Sequence, residues 1–214
     1  DEKTDAAFVD VRSDIGAVTT VAAEYLRAAN IELNERLATA VAYAIISETE
    51  DLGRTVSEAD LRTYIRALRK ADHVMIGQLR HPRVERRFYR TLTAALKAAQ
   101  VIGDVVLCHL TSVNAADELA RVADILNPLA GCRWVLCTGE KDNEMMLTLR
   151  SSDPDANAER LMTHLLAGRG GGGGHRMVAG GQIDLRDGED PAELRRGVTE
   201  RFLQGLGHGS SENL

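Results

Sequence analysis

The most unusual chemistry in the sequence is a run of five glycines, Gly170 to Gly174, set between Arg169 and His175-Arg176. A second pair, Gly180-Gly181, follows closely. Glycine loses more backbone entropy on ordering than other residues, roughly 0.5–1 kcal/mol relative to Ala inside a regular element. Such a run is expected where the chain turns through positive φ or where a ligand must approach the main chain. The segment Arg169 to Gln182 therefore reads as a loop whose N–H groups form an anion nest, with Gly172, Gly173 and Gly174 against a phosphate. The competing reading is a flexible linker. Linkers are usually Gly/Ser mixtures with polar flanks, whereas the flanks here are LLAGR and RMVA. The run is not a P-loop, because no Gly-Lys-Ser/Thr follows. It is not a dinucleotide fingerprint either, because no strand leads directly into it.

Other positions carry compatible chemistry. Arg150 ends an alternating series, Met146, Thr148, Arg150, and is followed by Ser151 and Ser152. An arginine grips phosphate through two parallel hydrogen bonds, and Ser151 can add a third. His175 can donate to a phosphate oxygen or orient a leaving group, which makes it the candidate catalytic residue. Glu48, in Ser47-Glu48-Thr49, stands where a helix is expected to end. The macrodipole disfavours a carboxylate there unless a cation compensates, so Glu48 is the candidate metal ligand. The alternative is a solvated turn acid beside Glu50 and Asp51. Asp14 reads as the cap of a helix beginning near Gly16. Arg80, His81, Arg83, Arg86, Arg87 and Arg90 form the densest positive stretch. It reads first as a solvated face and second as a surface steering an anion. Trp134 sits in an apolar run and is assigned to the core.

The elements that must position these residues change character along the chain. Residues 6–12 look like a short strand. Helical patterns cover Gly16 to Ala29, Leu37 to Ile46, Ser57 to about Asp72, and Arg83 to Ala99. From residue 101 strands and helices alternate: VIGDVVLCHL as one buried strand, AADELARVADILNPLA as a helix, and CRWVLCTG and EMMLTLR as strands joined by a hairpin turn. DANAERLMTHLLAG is a helix ahead of the glycines, QIDL a short strand, and Pro191 to Leu206 a closing helix capped by Asp190. This alternation favours a mixed sheet with helices packed on it.

Bulk properties narrow the classes. The 214 residues are 44% hydrophobic, 27% charged and only 4% aromatic, with net charge −6. That balance fits a globular chain and argues against a general grip on long nucleic acid, which needs a basic face. No run of about 18 apolar residues is present, so no membrane span is expected. The opening DEKTDAA lacks a signal-peptide pattern. Cys108, Cys132 and Cys137 form no CxxC and read as small buried hydrophobes, which suits a reducing cytoplasm.

GGGGHRMVAGG resembles the GGGH signature of the accessory domain that follows the DHH domain in DHH-family phosphoesterases. LTLRSSDPDANAERL resembles that domain's strand ending in Arg-Ser, followed by its helix. VDVRSDIGAVTTVAAEYL and LATAVAYAIISETEDLGR are similar to the end of the DHH domain itself. There a helix ends in a T-D-T or S-E-T motif whose acid belongs to the metal site. Alanyl-tRNA synthetases share the GGGH domain but not the S-E-T half. The DHH triplet and the earlier acidic motifs are absent, the only His-Asp pairing being Asp72-His73. The resemblance implies an α/β protein in which the helical end of a DHH domain (1–57) is joined by a helical connector (58–100) to a smaller mixed-sheet accessory domain (101–206), with a flexible tail (207–214). A substrate cleft between the two parts is expected. It implies a phosphoesterase using two Mn²⁺ or Mg²⁺ ions on short single-stranded RNA or nucleotides such as nanoRNA, 3′-phosphoadenosine 5′-phosphate or cyclic-dinucleotide products. A homodimer is left open. Lacking the DHH motif, this chain is expected to be inactive alone and to supply mainly substrate binding. The alternative is a non-catalytic module for nucleotides or RNA ends, such as a tRNA-associated domain.

Overall fold

The structure, a computed structural model, describes residues 6–53 and 56–207. The chain forms two compact units, one up to Arg83 and one from Val84 on. The expected connector, 58–100, is thereby divided between them. The expected flexible tail lies outside the described residues from position 208 on.

The first unit holds four helices: α1 (Val18–Ala28), α2 (Glu35–Glu48), α3 (Glu58–Leu68) and α4 (His73–Arg80). Its core is small, built from Ala17, Ala38, Ala42, Ile45, Ala67 and Ile76 among others. Ser57 and Asp60 form a capping box at the start of α3. Asp60 does more than cap its own helix. Its carboxylate, 0% exposed, also accepts from Gly16 N at 2.9 Å, Ala17 N at 3.3 Å and Thr20 Oγ1 at 2.5 Å. The start of α1 is therefore held by a residue of α3, and the capping role expected for Asp14 falls to Asp60. Residues 6–12 form no strand, because no strand of the described residues pairs with them.

The second unit is built on a six-stranded mixed sheet. After α5 (Arg86–Ala98) come β1 (Gln100–Ile102), β2 (Val105–Leu110), α6 (Ala116–Leu126), β3 (Trp134–Lys141), β4 (Glu144–Ser151), α7 (Ala158–Leu166), β5 (Gly171–His175), β6 (Val178–Asp184) and α8 (Pro191–Gly205). Spatial order is β1-β2-β3-β4-β6-β5, with β2 and β3 the one parallel pair. The run read as one strand is two, because Gly103 at φ 60° turns the chain between β1 and β2. Asp142 and Asn143, both at positive φ, make the tight β3–β4 turn, the geometry two-residue hairpins favour.

Strand alternation sends two side-chain sets to opposite faces. Leu107, Leu136, Leu147 and Leu149 meet α7 and α8, while Val106, Cys108, Val135 and Cys137 meet α5 and α6. Trp134 belongs to the first set, its ring edge-on to Phe202 at 6.4 Å. The three cysteines are free and buried.

His109 on β2 is half-buried, with Nδ1 2.8 Å from Thr138 Oγ1 and Nε2 3.2 Å from Thr199 Oγ1. Burial, and secondarily the nearby Arg195, lower its pKa to about 4. Below about pH 6.5 the unfolded chain takes a proton that the folded chain refuses. Its contribution to stability is thus present above that pH and lost as pH falls towards 4. The drop in melting temperature between pH 6.5 and 4.5 is expected to be smaller for His109→Gln than for the parent. Parallel curves would show that His109 is not the titrating group.

Candidate functional site

The glycine run is not a loop. Gly171–His175 form β5, an edge strand in an antiparallel hairpin with β6, which reaches back to Val178 rather than being the short QIDL strand expected. The nest expected at a helix N-terminus is absent, because the hairpin leads into β6. What the glycines do follows from register. Gly172 and Gly174 point to the α7 side. A Cβ at Gly172 would lie 2.9 Å from Leu166 Cδ1, and one at Gly174 2.3 Å from the Val178 carbonyl oxygen. Gly181, on the same side, would meet Met162 Sδ at 2.9 Å. Gly172 and Gly181 are required by packing beneath α7, and Gly174 by the close approach of β6.

Gly171 and Gly173 face the other way. A Cβ on either would meet nothing within 4 Å. Gly173 pairs with Gly180, where an added Cβ would meet only the Leu147 carbonyl oxygen at 3.8 Å. Gly180 in turn pairs with Thr148. No contact among the described residues accounts for the missing side chains at Gly171, Gly173 and Gly180. Together they leave a strip of bare backbone on the face where α6 covers β3 and β4. As an edge strand, β5 also has an outer row of main-chain groups with no strand opposite.

Gly171 and Gly180 of this strip line a groove of about 590 Å³ walled by Ala116, Asp117 and Ala120 of α6, with Met146, Thr148 and Arg150 of β4 along its base. That volume lies within the range of small-ligand sites. Arg150 sits at one end, its side chain 12% exposed. Its Nε donates to Asp124 Oδ1 at 2.5 Å, and its Nη1 to Thr148 Oγ1 and the Leu149 carbonyl, both at 3.0 Å. Asp124 and Thr148 thus fix the guanidinium plane. The Nη2 donors have no hydrogen-bond partner among the described residues. His175 stands on the same face across the ladder, Arg150 pairing with Val178 and Val178 with His175. Two strand spacings of about 4.8 Å separate the two residues, and His175 is exposed at the end of β5.

Several expected site residues lie elsewhere. Ser151 is next to Arg150 and so falls on the opposite face. It is 4% exposed, and its hydroxyl donates to the Arg133 carbonyl at 3.0 Å and accepts from Asp153 N at 3.1 Å. It anchors the end of β4 instead of adding a phosphate contact. Of the three run glycines chosen, Gly172 lines the groove with its backbone while its Cβ side packs against Leu166, Gly173 lies on the groove face, and Gly174 is held against β6. Arg169, expected to flank the phosphate, is held by Glu189 at 2.7 Å and by the Asp184 carbonyl. That pair, with a further hydrogen bond from the Arg186 N–H, brings the Glu189 pKa down to about 2.

Glu48 is in the first unit, the exposed last residue of α2. Its neighbour Thr49 is buried and closes the helix, its hydroxyl donating to the Ile45 carbonyl at 2.7 Å. Glu50, Asp51 and Leu52 follow in left-handed conformation at φ 47°, 57° and 67°, and Arg80 pairs with Asp51 at 2.6 Å. Among the described residues no three His, Cys, Asp or Glu side chains gather to hold a metal ion. The residues present therefore do not fit the two-ion centre that the sequence resemblance implies. The expected basic patch is divided between the two units along the chain. Arg80, His81 and Arg83 belong to the first unit, and Arg87 is paired with Glu85 and Glu118.

Comparison with known proteins agrees with this architecture. Residues 103–201 match the DHHA1 domain. The match lies within the second unit. An uncharacterized protein of Methanocaldococcus jannaschii is 26% identical over 181 residues, 84% of this chain and 37% of the relative. The chain thus spans little more than a third of that relative. An exopolyphosphatase-related protein from Bacteroides fragilis shares the fold at a TM-score of 0.74 and 13% identity, over 94% of this chain and 60% of that one. RecJ from Thermus thermophilus, in complex with Mg²⁺, matches at a TM-score of 0.40 and 14% identity, over 81% of this chain and 25% of that one. Among the described residues no helix is long and apolar enough to cross a membrane.

Proposed function

We propose that this chain supplies the substrate-binding part of a phosphoesterase acting on short oligoribonucleotides or small nucleotides, such as nanoRNA, 3′-phosphoadenosine 5′-phosphate or the linear products of cyclic dinucleotides. One observation carries the reading: Gly171 and Gly180 present bare backbone to a groove, with Gly173 on the same face, although nothing among the described residues fills the space their side chains would take. A ligand that lies against the main chain is the physical reason for such a strip. Arg150, held in plane by Asp124 and Thr148, offers its Nη2 edge to a phosphate oxygen. His175 donates from the far strand to the same group or orients a leaving oxygen. The net charge of −6 favours a short anionic ligand over a long one. The metal-dependent chemistry of the family lies outside the residues gathered here, so the contribution of this chain is binding and orientation.

Calorimetric titration of the chain with pApA tests this. Saturable one-site binding is expected, and Arg150→Ala is expected to weaken it about tenfold or more, the usual cost of losing a charge-assisted hydrogen bond. Asp124 is 58% exposed and can hydrate once unpaired, so the melting temperature should barely move. His175→Ala should weaken binding by a smaller factor. No binding of pApA removes the reading. Hydrolysis of pApA by this chain alone in Mn²⁺ would overturn its assignment to binding rather than turnover.

A further inference from the structure

The groove has two chemically different ends. At one, Arg150 is neutralised and aligned by Asp124. At the other, four residues along β4, Met146 pairs with Gln182, and Asp117 lines the same groove. Asp117 and Asp124 are seven residues apart on α6, close to two full turns. They therefore project on nearly the same side of the helix, separated by about 10 Å of rise. Ala120, between them, is small enough to leave the wall hollow. Asp124 has a cation; Asp117 has no ion pair or hydrogen bond among the described residues. A carboxylate lining a groove that takes an anion repels that anion unless the ligand turns a different group towards it. The ligand that fits is bipolar, with phosphate at the Arg150 end and N–H donors at the Asp117 end.

We infer that Asp117 reads the base of the bound nucleotide and selects guanine. This rests on the proposed nucleotide site. Guanine is the one common base whose Watson–Crick edge offers two adjacent donors, N1–H and the N2 amino group, to the two oxygens of a carboxylate. Adenine turns an acceptor, N1, to the same oxygens, and uracil and cytosine each offer a single donor group there. The Gln182 amide can donate to guanine O6, and Met146 supplies a polarizable surface for the ring. A nucleoside monophosphate spans about the distance between the two ends.

The test is calorimetric titration of the full chain with GMP, IMP and AMP. GMP is expected to bind about tenfold tighter than AMP, the discrimination that one bidentate base contact provides. IMP, which keeps N1–H but lacks the amino group, should fall between them. Asp117→Asn should remove the preference for GMP, weakening GMP and letting AMP bind at least as tightly as in the parent, with the melting temperature unchanged. Equal binding of GMP and AMP, or a GMP preference that survives Asp117→Asn, overturns the guanine assignment and leaves the nucleotide site standing. Binding of none of the three overturns the site and the assignment together.

Discussion

Gly173→Ala is expected to leave the melting temperature of the protein unchanged and to weaken pApA binding about tenfold. Gly174→Ala, one residue on, is expected to do the reverse. The two glycines share a strand and differ only in the face they present. A methyl on Gly173 enters open space on the face that Gly171 and Gly180 share with the groove. There it excludes only a ligand, and overfilling a close-packed contact costs about 1–3 kcal/mol, or roughly 5- to 150-fold in affinity. A methyl on Gly174 would stand 2.3 Å from the Val178 carbonyl oxygen and 2.6 Å from Ala179 Cβ. β5 must then separate from β6, at a similar cost of about 1–3 kcal/mol in stability. For a chain of this size that is a fall of roughly 3–10 °C. Thermal melts and calorimetry on both variants separate the two roles. Loss of stability in Gly173→Ala would mean that the glycine strip serves folding alone.

Asp60→Ala is expected to cause the largest loss of stability in the first unit, about 3 kcal/mol or more. It leaves the N–H groups of Gly16, Ala17 and Ser57 and the hydroxyl of Thr20 without their acceptor, and buried donors stranded in this way are costly. Asp60→Asn should recover part of the loss, since an amide oxygen still accepts. Desolvation pushes the Asp60 carboxyl up, but the hydrogen bonds from Thr20, Ser57 and Gly16 outweigh it and hold its pKa below the ordinary 3.8. Its contribution to stability is therefore fully present above about pH 4 and is lost as pH falls below that value towards the folded pKa. Chemical denaturation at pH 7 and pH 3 should show a gap between parent and Asp60→Ala that narrows in acid. An unchanged gap would mean that the carboxylate charge is not what the network stabilises.

The sequence made the helices legible because their apolar stripes and caps are local. Ser57, Asp190 and Pro191 stand at helix starts as their types suggest. Arg150 was legible through its alternation with Thr148 and Met146, the residues it now accompanies on the groove floor. The strand nature of the glycine run was not legible. Glycine disfavours strands, and only the close approach of α7 and β6 at Gly172, and of β6 at Gly174, makes it favourable there. Ser151 was misplaced because two residues adjacent on a strand cannot both face one ligand. Asp124 and Asp117 went unnoticed, although their spacing of seven on a helix is a signal that could have found them. The cap on α1 could not be read locally, since Asp60 lies 44 residues from Gly16.

We propose that an anionic nucleotide lies on the open face of β4, β6 and β5, beside α6. The most direct measurement is a titration of isotope-labelled protein with pApA, followed by amide NMR. Gly171, Gly173, Gly180, Gln182 and the first turn of α6 are predicted to shift saturably and together, with the arginine side-chain resonances of Arg150, while the amides of α1 to α4 stay in place. Shifts confined to the first unit, or none at saturating pApA, would contradict the account.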